Sequence, residues 1–141
     1  MSNRTFAIIK PDAVKQGNTG KIYDRIISAG FNILGAKLIK MSLLQVQGFY
    51  GINKDKPFYE ELTEFMSSSP SMVLALEKEN AVTAWRETIG ATNPEEAAEG
   101  TIRLDFATSI EENAVHGSDS DENAKKDIGF FFAESELITN Q

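Results

Sequence analysis

The chain has 141 residues, about the size of one domain, and can bury roughly two-thirds of its unfolded surface in one core. Its 41% hydrophobic and 25% charged content is that of a globular protein rather than a disordered one. A formal charge of −7 is the wrong sign for neutralising a run of nucleic-acid phosphates, and the absence of cysteine removes disulfides, thiolate catalysis and Cys-type zinc sites.

One domain over residues 1–141 is expected. No apolar run approaches the ~20 residues that span a bilayer. Met1-Ser2-Asn3-Arg4 runs into Thr5-Phe6-Ala7-Ile8-Ile9 without a long apolar leader, so the expected compartment is the cytoplasm.

Residues 5–10 form a short β-rich run that stops at Pro11. Asn18 or Thr19 can cap a helix carrying Ile22, Tyr23, Ile26 and Ile27, with Gly30 at its left-handed end. Residues 31–41 alternate as a long strand, with Leu34, Ala36 and Leu38 on one face and Ile33, Lys37 and Ile39 on the other. Ser42 and Gln45 form a capping-box pattern ahead of a short helix. Pro57 opens another, whose Phe58, Leu62, Phe65 and Met66 share a face, and the two make a helical hairpin.

Residues 72–76 read as a third strand, and Asn80 can cap a helix ending at Gly90. Periodicity fades over 91–113, as expected of a binding loop with short helical pieces. Ser118, with Asp121 three residues on, opens a helix running through Lys126, and residues 128–132 read as the last strand. Four strands interleaved with helices fit an α/β sandwich on an antiparallel sheet, and the tail over 133–141 should lie on the surface.

The sharpest chemical feature is Asn113-Ala114-Val115-His116-Gly117-Ser118-Asp119, which contains the chain's only histidine. An imidazole can accept a phosphoryl group and pass it on, splitting one transfer into two. Lys10 ends the first strand, where sheet proteins often contact ligands, and Arg86 and Arg103 could clamp phosphate oxygens. Taken singly, each is an ordinary structural or surface residue. Gly17-Asn18-Thr19-Gly20-Lys21 lacks the spacing of a phosphate-binding Walker loop, and the acids at 119–122 read as helix-dipole and capping residues rather than a metal cage.

With these segments in view, the sequence resembles the nucleoside diphosphate kinase family, whose signature is an Asn-x-x-His-Gly-Ser-Asp run. Residues 5–14, Gly20-Lys21-Ile22-Tyr23, Pro57-Phe58, Glu64-Phe65-Met66, Gly90-Ala91-Thr92-Asn93-Pro94 and Gly100-Thr101-Ile102-Arg103 resemble family segments in order. The resemblance implies a ferredoxin-like α/β sandwich with a four-stranded antiparallel sheet. It also implies γ-phosphate exchange between nucleoside triphosphates and diphosphates, Mg²⁺ accompanying the nucleotide, and a homo-oligomer, tetramer or hexamer, of which the short tail after Phe132 favours the tetramer.

By motif position, the resemblance makes His116 the phosphorylated residue. Lys10, Arg86, Thr92, Arg103 and Asn113 fall on phosphate- and sugar-binding positions, Phe58 on the base-stacking ring, and Tyr50 and Ser118 on supporting positions. Asn53 stands where the family commonly has histidine, Ser69 where it has glycine, and Asp127 where a glutamate usually orients the imidazole. Two other functions compete: a nucleotide-binding module that transfers nothing, against which His116, Lys10 and Arg103 argue, and an RNA-binding sandwich, disfavoured by a pI near 4.7.

Overall fold

The computed structural model describes residues 3–51 and 54–138, so Asn53 lies outside the described residues. Strand β1 (Arg4–Ile9) is buried from Thr5 onward, which an apolar segment achieves only in the interior of a sheet covered on both faces. It pairs antiparallel with β3 (Ser71–Glu77) on one side and with β4 (Val115–Gly117) on the other. Strand β2 (Asn32–Ile39) pairs antiparallel with β3, giving the order β2-β3-β1-β4 of the expected ferredoxin-like sandwich.

The pleat sends alternate β1 residues to opposite cores. Ala7 and Ile9, with Leu74 and Leu76 of β3, meet Ile22 and Ile26 of α2 (Thr19–Ser28) and Trp85 and Ile89 of α5 (Ala81–Ile89). Phe6 and Ile8, with Val73 and Ala75, meet Val46 of α3 (Leu43–Phe49), Met66 of α4 (Tyr59–Ser67) and Ile128 of α7 (Asp121–Phe131). A short α1 (Pro11–Lys15) follows β1 directly, and α6 (Ile102–Phe106) is one of the helical pieces in the long loop.

Local signals placed several boundaries. Ser42 Oγ accepts from Gln45 N–H while the Gln45 side chain accepts from Ser42 N–H, closing the expected capping box. Asn80 precedes α5 as expected, yet it makes no side-chain cap. It sits instead in the left-handed region at φ 53°, which asparagine tolerates better than most residues.

Several expectations are corrected. Residues 128–132 are not a strand: Ile128, Phe131 and Phe132, spaced as on a helix, turn toward the sheet at and just beyond the end of α7, and Phe130 is left exposed. The strand that closes the sheet is β4, which carries His116. Ser118 does not cap the last helix; Ser120 does, accepting from Asn123 N–H at 3.1 Å.

The alternation assigned to β2 is broken by a bulge between Ile33 and Gly35. Leu34 is therefore buried while Leu38 is 60% exposed. Gly35 now faces Phe132, whose ring would stand 2.9 Å from an added Cβ. The tail also folds back: Leu137 is buried, and Ile138 N–H donates to the Leu34 carbonyl at 2.8 Å.

The capping assignment is testable. Ser120→Ala is expected to lower unfolding free energy by about 1 kcal/mol. An unchanged urea midpoint would show that the Ser120 hydroxyl contributes nothing to α7.

Candidate active site

His116 is the middle residue of β4 and lies opposite Ile8 of β1. Its carbonyl accepts from Trp85 Nε1 at 3.1 Å. This approach requires glycine next in the chain, because a Cβ on residue 117 would lie 2.6 Å from the Trp85 ring. The space at Gly117 thus belongs to the indole that anchors the strand.

The chain enters β4 through a tight turn. Val115 N–H donates to the Asn113 carbonyl at 2.8 Å around Ala114, whose φ is 72°. This is a γ-turn of the strained, positive-φ kind, and such a conformation costs a non-glycine residue on the order of 1–3 kcal/mol. Lys10 N–H donates to the Ala114 carbonyl at 2.8 Å, and Ala114 N–H donates to Asp12 Oδ2 at 3.0 Å.

Buried polar side chains surround the turn. Lys10 Nζ donates to Asn113 Oδ1 at 2.9 Å, and Asn113 Nδ2 donates to the Thr92 carbonyl at 3.3 Å. Arg103 donates through Nη1 to the Gly90 carbonyl and through Nη2 to the Val115 carbonyl, both at 2.9 Å, while its Nε is buried without a partner. Burial, opposed by the Asp12 charge, holds the Lys10 ammonium down at about 8. Burial and the charge of Arg86 bring Arg103 to about 10, still protonated at neutral pH.

Around the His116 ring stand Phe6, Phe49 and Tyr50, with centroids 6.3, 5.6 and 6.1 Å away. The residue is half-buried, and its Nε2 is enclosed without a hydrogen-bond partner. Burial, then the charges of Lys10, Arg103 and Arg86, push its pKa down to about 3, so the imidazole is neutral. A cavity of about 500 Å³ opens over it, lined by Tyr50, Arg86, Ser118 and Asp127 and walled by Phe49 and Phe130.

Ser118 Oγ donates to Asp127 Oδ2 at 2.6 Å. Asp127 lies within α7 rather than at a helix–strand junction, and its hydrogen bonding reaches Ser118 but not the imidazole Nε2. Burial first, and then the Asp127 carboxylate, raise the pKa of the Tyr50 phenol.

The fold thus gathers His116, Tyr50, Arg86, Ser118 and Asp127 around the cavity and Lys10, Arg103, Asn113 and the Thr92 backbone beside it. Phe58 stands apart, 51% exposed at the start of α4. Sequence reading missed the aromatic walls Phe49 and Phe130 and assigned nothing to Asp12. The aromatic pair Phe49-Tyr50 at the end of α3 was the one available signal for the first wall, whereas Phe130 was hidden in the supposed strand.

A neutral imidazole facing a lysine and two arginines beside an open cavity defines a site for an anionic group that reacts with a nitrogen nucleophile. The sequence matches the family model for nucleoside diphosphate kinase over residues 3–137. The nucleoside diphosphate kinase of Geotalea uraniireducens is 57% identical over 135 residues, covering 96% of this chain and 98% of that protein. That of Campylobacter concisus is 58% identical over 134 residues, covering 95% and 98%.

Among solved structures, the Aquifex aeolicus nucleoside diphosphate kinase superposes with a TM-score of 0.95 at 42% identity, covering 97% of this chain and 99% of that one. The halophilic nucleoside diphosphate kinase of Halobacterium salinarum, solved in complex with CDP, gives a TM-score of 0.93 at 32% identity, covering 100% and 94%. The chain belongs to the nucleoside diphosphate kinase family. It is a phosphotransferase that moves the γ-phosphate of a nucleoside triphosphate to a nucleoside diphosphate, in the ping-pong manner general to that family.

The depressed pKa of His116 has a signed consequence. The unfolded imidazole takes up its proton near 6.5 and the folded one near 3, so folding stability is lost as pH falls through that window. By NMR, the His116 ring is expected to remain neutral at about pH 5. A titration midpoint near the ordinary histidine value would contradict its enclosure.

Proposed function

We propose that His116 is the residue that carries phosphate, and that Nδ1 is the attacking atom. The observation that supports this best is the enclosed, neutral ring: with Nε2 buried, Nδ1 is the nitrogen left to meet a substrate. Its lone pair attacks the γ-phosphorus, the bond from that phosphorus to the β-phosphate oxygen breaks, and the diphosphate leaves. A terminal oxygen of the incoming diphosphate then attacks the phosphorus, the P–N bond breaks, and neutral imidazole is restored.

Lys10, Arg86 and Arg103 neutralise the phosphate oxygens, with Arg103 engaging charge that grows in transfer. Asn113 and Thr92 hold sugar and phosphate, and Phe58, half exposed at the start of α4, supplies a face for any base. Stacking reads no base edge, so broad nucleotide selectivity follows. Tyr50 packs edge-on to the imidazole, and Ser118 and Asp127, bonded to each other, line the cavity with it.

The reading extends to Mg²⁺. Among the described residues no three His, Asp or Glu side chains come together to hold an ion. The cations Lys10, Arg86 and Arg103, gathered for phosphate oxygens, fit a metal carried by the nucleotide's phosphates, where it would offset their remaining charge. The same reading takes residues 1–141 as one kinase domain of a cytoplasmic homo-oligomer, a tetramer before a hexamer. The apolar side chains of Ile27, Leu38 and Leu44, exposed in the single chain, offer surface for subunit contact, and no helix among the described residues is long and apolar enough to cross a membrane.

Incubation with a γ-labelled triphosphate tests the nucleophile: the chain should take an acid-labile label, and His116→Ala should take none while still binding nucleoside diphosphate. Ordinary exchange by His116→Ala would sink the proposal. Asp127→Glu, one methylene longer, is expected to reach Nε2 and to hold or raise the rate of His116 phosphorylation, while Asp127→Ala lowers it only modestly. An Asp127→Ala variant as inactive as His116→Ala would instead require direct contact between the carboxylate and the ring.

A further inference from the structure

We propose that Asp12 is a positioning residue for phosphoryl transfer: its carboxylate holds the strained turn at Ala114 and so sets Asn113 and His116 against Lys10 and Arg103. The proposal rests on the reading of His116 as the phosphorylated residue. Ala114 adopts φ 72° without being glycine, and such a conformation persists only where its surroundings over-determine it. Three hydrogen bonds hold the turn: Val115 N–H to the Asn113 carbonyl, Lys10 N–H to the Ala114 carbonyl, and Ala114 N–H to Asp12 Oδ2. Of the bonds made by Ala114 itself, only that to Asp12 uses a side chain.

Ala114 is fully buried, so no solvent stands ready to replace that acceptor, and removing the carboxylate leaves an enclosed N–H unpaired. The turn would then relax toward negative φ. Every group that relaxation moves belongs to the site. Asn113, on one side, is bonded to Lys10 Nζ at 2.9 Å. Val115, on the other, is bonded to Arg103 Nη2 at 2.9 Å, and His116 follows it. Asp12 does not line the cavity and has no hydrogen bond to the ring; its bond is to the Ala114 backbone.

Asp12 has a second, electrostatic arm. The charged groups that bear on Lys10 are Asp12 from α1, Arg103 from α6 and Glu112 from the loop before β4, with the Phe65 ring of α4 at 5.8 Å. Asp12 is the stronger of the two anions in keeping the buried ammonium protonated. Asparagine keeps an oxygen for Ala114 N–H but loses that charge, which separates the two arms.

The test is single-turnover phosphorylation of His116 by γ-labelled ATP with Mg²⁺, alongside calorimetric affinity for ADP. Asp12→Ala should slow labelling at least about 10-fold, since sub-ångström to ångström misplacement of a nucleophile has effects on that scale, with a smaller factor lost in ADP affinity. Adding Ala114→Gly, which accepts φ 72° without strain, should restore at least about 3-fold of the rate, which a merely structural loss would not show. Asp12→Asn should hold the rate near that of the parent at about pH 6 and bring the alkaline limb to lower pH.

A smaller loss in Asp12→Ala, no gain on adding Ala114→Gly, or an Asp12→Asn limb that does not move would overturn the proposal. If Asp12→Ala does not fold, the double variant must fold and take label, and its failure to do so counts against the proposal equally. A parent chain left unlabelled at His116 would remove the reading beneath it. A normally labelled parent with an unaffected Asp12→Ala removes only the role of Asp12.

Discussion

The site depends on the pairing of β4 with β1. The segment Val115–Gly117 has its register fixed by the fully buried Ala7, Ile8 and Ile9. That pairing holds the His116 backbone against a rigid interior strand, and the Trp85 indole bonded to the His116 carbonyl anchors it from the opposite core. A nucleophile on a freely moving loop would have to be ordered at each turnover. Here the ordering is done in folding.

The two cores divide the labour. Trp85, Ile89 and Ile102 form a close-packed floor, and the approach of Trp85 to Gly117 leaves no room even for a methyl group. On the other face Phe6 and Phe49 pack beside the imidazole, with Phe131 stacked on Phe6 behind them, and Nε2 is enclosed. Apolar enclosure and the charges of Lys10, Arg103 and Arg86 disfavour the imidazolium for different reasons and act in the same direction. The cations gathered at the cavity thus also keep the His116 imidazole neutral.

The strained turn before β4 connects this site to the start of the fold. Lys10 and Asp12 lie more than a hundred residues before Asn113 and Ala114, yet they bond to them side by side. The Pro11 ring, which starts α1 immediately after β1, keeps Lys10 and Asp12 on a short, well-defined stretch of backbone. The loop after α5 joins the same network through the Thr92 carbonyl, which accepts from Asn113. Charge, backbone geometry and nucleophile position are therefore coupled in one buried patch.

The sequence alone determined what depends on near neighbours. The Ser42–Gln45 capping box, the stop of β1 at Pro11 and the ends of α2 and α5 near Gly30 and Gly90 are contacts or φ preferences within a few residues. The ordered motifs around Lys10, Arg103 and His116 identified the family for the same reason: each is a short run of residue types that its chemistry requires. Tertiary structure decided the rest. Whether Ile128 to Phe132 became strand or helix turned on which segment could pair with the free edge of β1, and the three-residue β4 won. The bulge at Leu34 turns Gly35 toward Phe132 and the returning Leu137, contacts across about a hundred residues that no local periodicity encodes. The neutrality of His116 and the bond from Ala114 to Asp12 are likewise properties of burial and of long-range juxtaposition, which exist only once the sheet has brought the two ends of the chain together.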